Sequence, residues 1–499
     1  MRDRRVIGAS LLVLGFALAW ALRPHLAPES NGDVAARRES TAIDLLIERA
    51  QLPGGTVVSV AIRDGRVVAL GNDVQFSRRF VPNETVDAAG GMILGGVHDH
   101  HAHVLLGGLG LDALQLSELE TLNDVEAELR RYAALHPEAD WIVGRGWKYS
   151  MFPGGQPTRA LLDAWVPSTP VLLKSYDGHA QWTNTAGLER AGITRETKDP
   201  NDGTIVRASN GEPTGLFLEG ARAMIEDAAP PLTDRVQMVA LEKATAHLLS
   251  RGITTVDDMV YRDGEERARL YRALRSEGRL PIAVRIFPVL EASADEDTLT
   301  DLAGLAGELE SESLLSLPAV KIFVDGVIES KSAFLHDPYA TGGGSGNPKM
   351  SRKQLSGFLA RCARAGLGVA MHTVGDAAVT LALDAVESLD GDAPPLLRLE
   401  HIEVLRETDA RRFAELGVEA SMQPLHADPG GVEPESGVWA ENLGTERLSR
   451  TFSWRRLETH GATLRFGSDW PVVDADPFAG MAVALTRRSR SGEPGLRFG

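Results

Sequence analysis

Eight short apolar runs of β type follow one another along this chain, most of them separated by stretches of helical period. That alternation limits the fold more than any other feature. The runs are MILGGV at 92–97, GITTVDD at 252–258, IAVRIFPVL at 282–290, AVKIFVDG at 319–326, LGVAMH at 367–372, LRLEH at 397–401, VEASMQP at 418–424 and TLRFGSDW at 463–470. Segments such as EERARLYRALRSEG and RKQLSGFLARCARAG lie between them. A helix between two strands carries the chain back to the start of the sheet, so the strands run parallel. Eight such units predict an α/β fold closed into a (β/α)8, or TIM, barrel. No G-x-G-x-x-G follows the first run, which counts against a dinucleotide-binding sheet. A chain of 499 residues, 43% of them apolar, is long enough for such a barrel with insertions and can fill its core.

One interval departs from the pattern. About 150 residues separate the first run from Gly252, far beyond an ordinary strand–helix–strand spacing. The stretch contains Trp141, Trp147, Trp165 and Trp182. It predicts a subdomain at 141–230, inserted after strand one above the mouth of a barrel that spans 93–480. No internal repeat is present, and only GGGSG at 342–346 has low complexity, reading as a loop.

Ahead of the barrel, TVVSVAIRDGRVVAL at 56–70 alternates around Asp64-Gly65, a hairpin signal. Residues 56–92 read as part of a small β-sandwich-like unit, and 24–55 as a linker and lead-in. At the N-terminus, Arg2, Arg4 and Arg5 precede an apolar run from Val6 to Leu22 that stops at Arg23-Pro24. A basic stretch followed by an apolar run reads as a signal peptide or membrane anchor over 1–23. The plain alternative, a buried helix, is weakened because nothing polar interrupts the run. The expectation is a membrane-anchored or exported, extracytoplasmic protein.

Lys+Arg total 52 and Asp+Glu 69, a formal charge of 52 − 69 = −17, which argues against a nucleic-acid partner. Cys362 is the sole cysteine, so neither an intrachain disulfide nor a thiolate cluster can form. A metal in this chain must rest on His, on carboxylate or on a modified Lys.

The polar residues gather where a barrel places its active site, just past the C-terminal ends of its strands. The first run leads into GGVHDHHAHV, with His98, Asp99, His100, His101 and His103. The fourth holds Lys321, with Asp325 after it; the fifth ends in His372, the sixth in His401 and the eighth in Asp469. A single strand-end histidine is more often a hydrogen-bonded core residue than a ligand. His101 and His103 make a stronger signal, since residues i and i+2 of a strand share a face and can grip one ion. For Lys321 the plain reading is a structural salt bridge to Asp325 or Glu329. The ordered set of H-x-H, Lys, His, His and Asp on successive strands decides in favour of a metal centre.

That set resembles the metal-dependent amidohydrolase superfamily. From about Thr56 to Gly499 the chain is similar to its amidohydrolase 3 branch, which includes N-substituted formamide deformylases. The segments that carry the resemblance are DHHAH, GRGWKYSMFPGGQPTRALLD, PVLLKSYDGHAQWTN, GEPTGLFLEGA, KIFVDGVIESK, MHTVGDAAV, RLEHIEV and FGSDWPV. The resemblance implies a divalent metal, with zinc the expected ion, one or two per chain. It implies that His101 and His103 bind one ion with Asp469. Lys321 would be carboxylated by carbon dioxide to a bridging carbamate, and His372 and His401 would hold the second ion. A single ion beside an unmodified Lys321 stays open. Asp469 would be the general base and then the general acid in hydrolysis of a C–N bond outside a peptide. His179 and Trp182 would touch a small-molecule substrate, or only shape a packed loop. Homo-oligomerisation stays open.

Three departures stand out. Gly95-Gly96 replaces the usual Pro-Gly, and His100 stands where Ser or Thr is common. The chain also ends soon after its eighth run, with 481–499 reading as a truncated C-terminal segment that lacks a covering helix and leaves the strands at 56–70 without partners. A barrel metalloesterase or lactonase is the nearest alternative, and a catalytically inactive, membrane-tethered binding protein is the alternative from another class.

Overall fold

A computed structural model describes residues 41–488 except 73–75, 113, 118, 153–155, 177, 179, 201–202, 230–231, 262, 390, 392 and 428–437. The basic and apolar run at 1–23 and the segment 489–499 lie outside the described residues. No described helix is long and apolar enough to cross a membrane. The chain is α/β and divides into two units. The first takes in the described residues up to Ala102, then Ala246–Asp469 and the chain from Val473; the second is His103–Thr245 with Trp470–Val472.

The first unit opens with four strands, β1 (Thr41–Gln51), β2 (Val57–Arg63), β3 (Arg66–Gly71) and β4 (Phe80–Asp87), in the order β3-β2-β1-β4. The predicted hairpin is β2–β3, turning at Asp64 and Gly65, both with positive φ. Within the lead-in expected at 24–55, residues 41–51 are strand, and 24–40 lie outside the described residues. β1 lies at the centre of the sheet, antiparallel to β2 and parallel to β4. It therefore supplies the partner that β2 was expected to lack. The unit is one mixed sheet rather than a sandwich. Ile47, Ala50, Val58, Val60 and Ile62 form one apolar cluster, and Ile43, Leu46, Ala61 and Phe76 form another.

β5 (Val97–Ala102) follows, and the chain then enters the second unit. Here β6 (Leu114–Gln115), β7 (Ile142–Trp147), β8 (Val171–Ser175), β9 (Ala180–Thr183), β10 (Gly203–Arg207) and β11 (Pro213–Glu219) form a six-stranded mixed sheet in the order β10-β11-β9-β8-β7-β6. The unit begins well before the expected boundary at 141, because β6 and the capped helix Leu122–Leu135 pack into its core through Leu114, Val125 and Leu129.

Back in the first unit come β12 (Ile253–Val260), β13 (Ala283–Pro288), β14 (Leu315–Ser316), β15 (Ala319–Phe323), β16 (Gly368–Thr373), β17 (Leu397–His401), β18 (Glu419–Met422) and β19 (Leu464–Phe466). They form two all-parallel sheets with β5, ordered β14-β13-β12-β5 and β15-β16-β17-β18-β19. A parallel bridge, Val289 to Lys321, links the sheets at one edge. At the other, the Asp469 backbone N–H donates to the His101 carbonyl at 2.6 Å.

Intervening helices follow the sequence signals. Helix Arg352–Ala365 starts at a Ser351–Gln354 capping box and ends at Gly366, whose φ of 74° suits glycine. It buries Leu355, Phe358, Leu359 and Cys362, a spacing of 3, 4 and 7 that makes one face. The last strand is followed by a short helix, Pro477–Thr486. Asp476 caps it, and the Trp454 indole N–H donates to the Ala484 carbonyl at 3.0 Å. Pro477 sits in its first turn, where proline starts a helix rather than breaking one.

Candidate active site

The first apolar run is not the first parallel strand. VHDHHA itself forms β5, so the histidines lie within the strand instead of following it. The pairing of β5 with β12 is irregular between Asp99 and Ala102, so side chains there do not alternate strictly. Asp99 is buried and holds the loop after β19. It accepts hydrogen bonds from the Ser468 backbone at 2.9 Å and hydroxyl at 2.6 Å, and from the His101 backbone at 3.1 Å. Gly467 permits this approach, since a Cβ there would lie 2.5 Å from the His101 nitrogen. The loop delivers Asp469.

His101, Lys321, His372, His401 and Asp469 are all buried and come together at the strand ends. The His101 and His401 ring centroids are 4.8 Å apart, and those of His372 and His401 4.4 Å. His101 Nε2 is 3.4 Å from Asp469 Oδ1, and His401 Nδ1 4.0 Å from Asp469 Oδ2. His401, Ile402 and Asp469 have φ of 73°, 49° and 58°. Left-handed backbone at non-glycine residues costs about 1–3 kcal/mol each and collects at functional sites. His103 is the first residue of the second unit, two positions beyond His101, and its backbone N–H donates to the Trp470 carbonyl at 2.8 Å.

Burial sets the charge states. It pushes His101 down to about 4 and His372 to about 3, and with neighbouring cationic groups it holds His401 well below its ordinary value. These imidazoles are neutral at pH 7 and have lone pairs to offer. Burial lowers the Lys321 amine to about 8, against the pull of Glu400 and Asp469. Its Nζ makes no hydrogen bond among the described residues. The salt bridge to Asp325 or Glu329 does not form. Asp325 instead accepts the backbone N–H groups of Phe334, Val374 and Gly375 at 2.8–2.9 Å, fixing the turn that follows His372.

Sequence reasoning missed the residues behind this cluster. Arg398 is fully buried; it donates to Asp257 at 2.6 Å, to Glu400 at 2.5 Å and to the His100 carbonyl at 3.1 Å. Glu400 in turn pairs with His101 Nδ1 at 2.8 Å, which leaves Nε2 facing Asp469. Burial opposes the Glu400 charge, but Arg398, Lys321 and His101 hold its pKa well below the usual carboxylate range. His426, in the turn Pro424–Ala427 after β18, was also missed. Its Nε2 is 3.6 Å from Asp469 Oδ2, and its Nδ1 3.7 Å from Glu403 Oε1. His401, His426 and Asp469 each offer a ligand atom within 4.8 Å of the others. A histidine just past the seventh run, in QPLH, was the available signal.

Of the two expected substrate contacts, His179 lies outside the described residues. Trp182 is a core residue instead: it is fully buried in β9, with its indole N–H donating to the Thr158 carbonyl at 3.0 Å. Its ring packs edge-on to Trp147, Phe152 and Trp165, a set of apolar neighbours that leaves it no free edge to offer.

The comparisons with known proteins bear out the family resemblance. A model of the amidohydrolase family matches residues 84–498, and the chain belongs to that family and to the hydrolases. It is 31% identical to the protein LONG AFTER FAR-RED 3 of Arabidopsis thaliana, covering 86% of this chain and 74% of the relative. It is 29% identical to the putative amidohydrolase YtcJ of Bacillus subtilis (87% and 81%) and 28% identical to an N-substituted formamide deformylase of Arthrobacter pascens (87% and 81%). In fold it is similar to an uncharacterised metal-dependent hydrolase of Pyrococcus horikoshii, with a TM-score of 0.68 at 24% identity over 89% of this chain and 86% of the other.

Proposed function

We propose that this chain hydrolyses a C–N bond outside a peptide, in an amide, formamide or related small molecule, at a divalent-metal centre on a closed β/α barrel. The observation that carries the reading is a fully buried Lys321 amine without a hydrogen bond, set among neutral imidazoles and one carboxylate. Such a donor set of nitrogen and oxygen, without thiolate, suits zinc or a similar ion. Barrel closure is supported by the links between the parallel sheets at Val289–Lys321 and His101–Asp469.

His101, His372, His401 and Asp469 would hold the metal, with His103 added by its H-x-H spacing and His426 within reach of the same carboxylate. Lys321, with its pKa near 8, has a substantial neutral fraction at mildly alkaline pH. As the neutral amine it would take up carbon dioxide, releasing a proton and gaining two anionic oxygens. Bound there, a divalent ion supplies Lewis-acid polarisation and makes water acidic enough to attack a carbonyl near neutral pH. Asp469 takes the proton of the attacking water and passes it to the leaving nitrogen. Glu400 fixes the His101 ring, and Asp99 fixes the loop that aims Asp469. The deformylase relative directs the substrate choice toward N-substituted formamides.

The test is metal content by elemental analysis, followed by a screen of formamides, amides and esters with the zinc-loaded protein. Bound metal with formamide or amide turnover supports the reading. Turnover of esters or lactones alone would replace it with a metalloesterase, and protein without tightly bound metal or turnover would refute it.

A further inference from the structure

β5 also carries His98 and His100, and neither takes part in the chemistry proposed above. Both reach Asp257 on β12. His98 Nε2 is 2.7 Å from Asp257 Oδ1, and His100 Nδ1 is 3.5 Å from Oδ2. The two rings stack with centroids 3.7 Å apart. The three residues offer ligand atoms that all lie within 4.8 Å of one another. His100 Nδ1 is shielded from solvent and has no hydrogen bond. Beside them opens a cavity of about 440 Å³, lined by His98, Thr254, Thr255, Arg285 and Ser316 among others. These residues lie at or near the starts of β5, β12, β13 and β14, whereas the catalytic cluster lies at strand ends.

We propose that His98, His100 and Asp257 form a second divalent-metal site, reached through this cavity and separate from the catalytic centre. Two imidazoles and one carboxylate on neighbouring strands are a donor set that first-row ions favour, and the cavity leaves room for water to complete the coordination. An ion here would bind the Nε2 lone pair of a neutral His98 carrying its proton on Nδ1, in place of the contact from Nε2 to Asp257 at 2.7 Å. Asp257 stays anionic because Arg398 holds its other oxygen at 2.6 Å. The competitor is Arg285, which lies 3.2 Å from Asp257 Oδ1, is partly exposed and lines the cavity. A cation entering the site must push the guanidinium away.

The competition from Arg285 gives the test its sign. Equilibrium dialysis of the full chain against Zn2+ alone, with bound metal counted by elemental mass spectrometry, is compared among the wild type, His98→Gln, His100→Ser and Arg285→Gln. His98→Gln keeps a hydrogen-bond donor to Asp257 and so preserves the pairing that holds the strands. The wild type is expected to bind one zinc ion more than His98→Gln or His100→Ser. Arg285→Gln is expected to bind that ion about tenfold tighter, since one neighbouring positive charge is gone. Equal stoichiometry in the wild type and in both histidine variants overturns the proposal. So does weaker binding in Arg285→Gln, which would mark the cavity as an anion pocket. Because the readout is a difference between proteins, failure of the catalytic-centre reading leaves this test intact.

Discussion

The two units bury opposite kinds of side chain. The core of the second is aromatic, and its largest rings are satisfied: Trp147 and Trp182 both donate their indole N–H groups to backbone carbonyls, and their rings meet edge to face. The core of the first holds Asp257, Lys321, Arg398, Glu400 and three imidazoles, all buried, with the Lys321 amine left without a hydrogen bond. Aromatic packing of the first kind stabilises through area and geometry. Buried charge of the second kind is weak evidence for stability, because desolvation offsets most of the attraction. The difference teaches where to look for chemistry. A core that could be filled more cheaply with leucine, and is not, is kept for another purpose.

The comparison breaks first at Lys321 and Asp469. If these residues serve catalysis, Asp469→Asn should lower kcat by about 10²–10⁴-fold, the usual cost of a lost general base. Lys321→Met should abolish most turnover yet leave the metal-free protein melting no lower than wild type, since it replaces a buried unpaired amine with an apolar chain. Turnover assays and thermal melts of both variants check this. Near-normal kcat in Asp469→Asn would remove the role assigned to it.

The next largest effect is expected at Arg398. Removing it strands Asp257 and Glu400 without their shared cation, so Arg398→Met should destabilise the protein by about 3–5 kcal/mol. The measurement is the urea midpoint at constant m-value. A smaller loss, below about 1 kcal/mol, would mean that the two carboxylates find other partners.

Much of this was legible beforehand, and the failures have physical causes. The parallel strands, the turn at Asp64-Gly65 and the strand-end residues Lys321, His372, His401 and Asp469 follow from periodicity and position. β1 was missed because TAIDLLIERAQ carries Asp44, Glu48 and Arg49 among its apolar residues, and no clean two-residue alternation survives. The irregular pairing between Ile47 and Ala50, with Arg49 at positive φ, explains the broken pattern. β5 was displaced by five residues because a strand of VHDHHA does not look apolar, and only its buried polar partners make it a strand core. Arg398 and Glu400 stand in plain view in LRLEH, but nothing local says that they face inward to Asp257 and His101.

A smaller effect is the pH dependence of the metal-free protein. His100, His101 and His372 are depressed to about 4, 4 and 3 in the folded chain from an ordinary 6.5, and His401 is held well below that ordinary value. Unfolded, these residues take up protons as the pH falls through 6.5; folded, they do not until it nears their lowered values. Stability present above pH 6.5 is therefore lost as the pH falls toward 4. Asp99 and Asp325, raised by burial to about 6 and 7, and His426, raised by Glu403 and Asp469 against burial, oppose this, but they are three groups against four. Urea midpoints at pH 7.5 and pH 5 should show the lower stability at pH 5. A midpoint that rises on acidification would show that the imidazoles do not stay neutral.

The smallest effect sharpens the contrast from the aromatic side. Trp182 was expected either to touch substrate or only to shape a packed loop; it sits in β9 with its N–H on Thr158 and its ring among Trp147, Phe152 and Trp165. Trp182→Phe keeps an aromatic ring and deletes one hydrogen bond worth about 1 kcal/mol, while the Thr158 carbonyl keeps the Leu161 backbone N–H at 3.2 Å. It also leaves a small void, which adds to the loss in proportion to its volume. The expected result is a melting temperature lower by a few degrees, with KM and kcat within about twofold of wild type. A residue that touches substrate behaves the other way, raising KM at an unchanged melting temperature. Measuring both quantities on this one variant therefore separates a packing role from a binding role. An unchanged melt with KM raised several-fold would move Trp182 out of the core and back to the substrate.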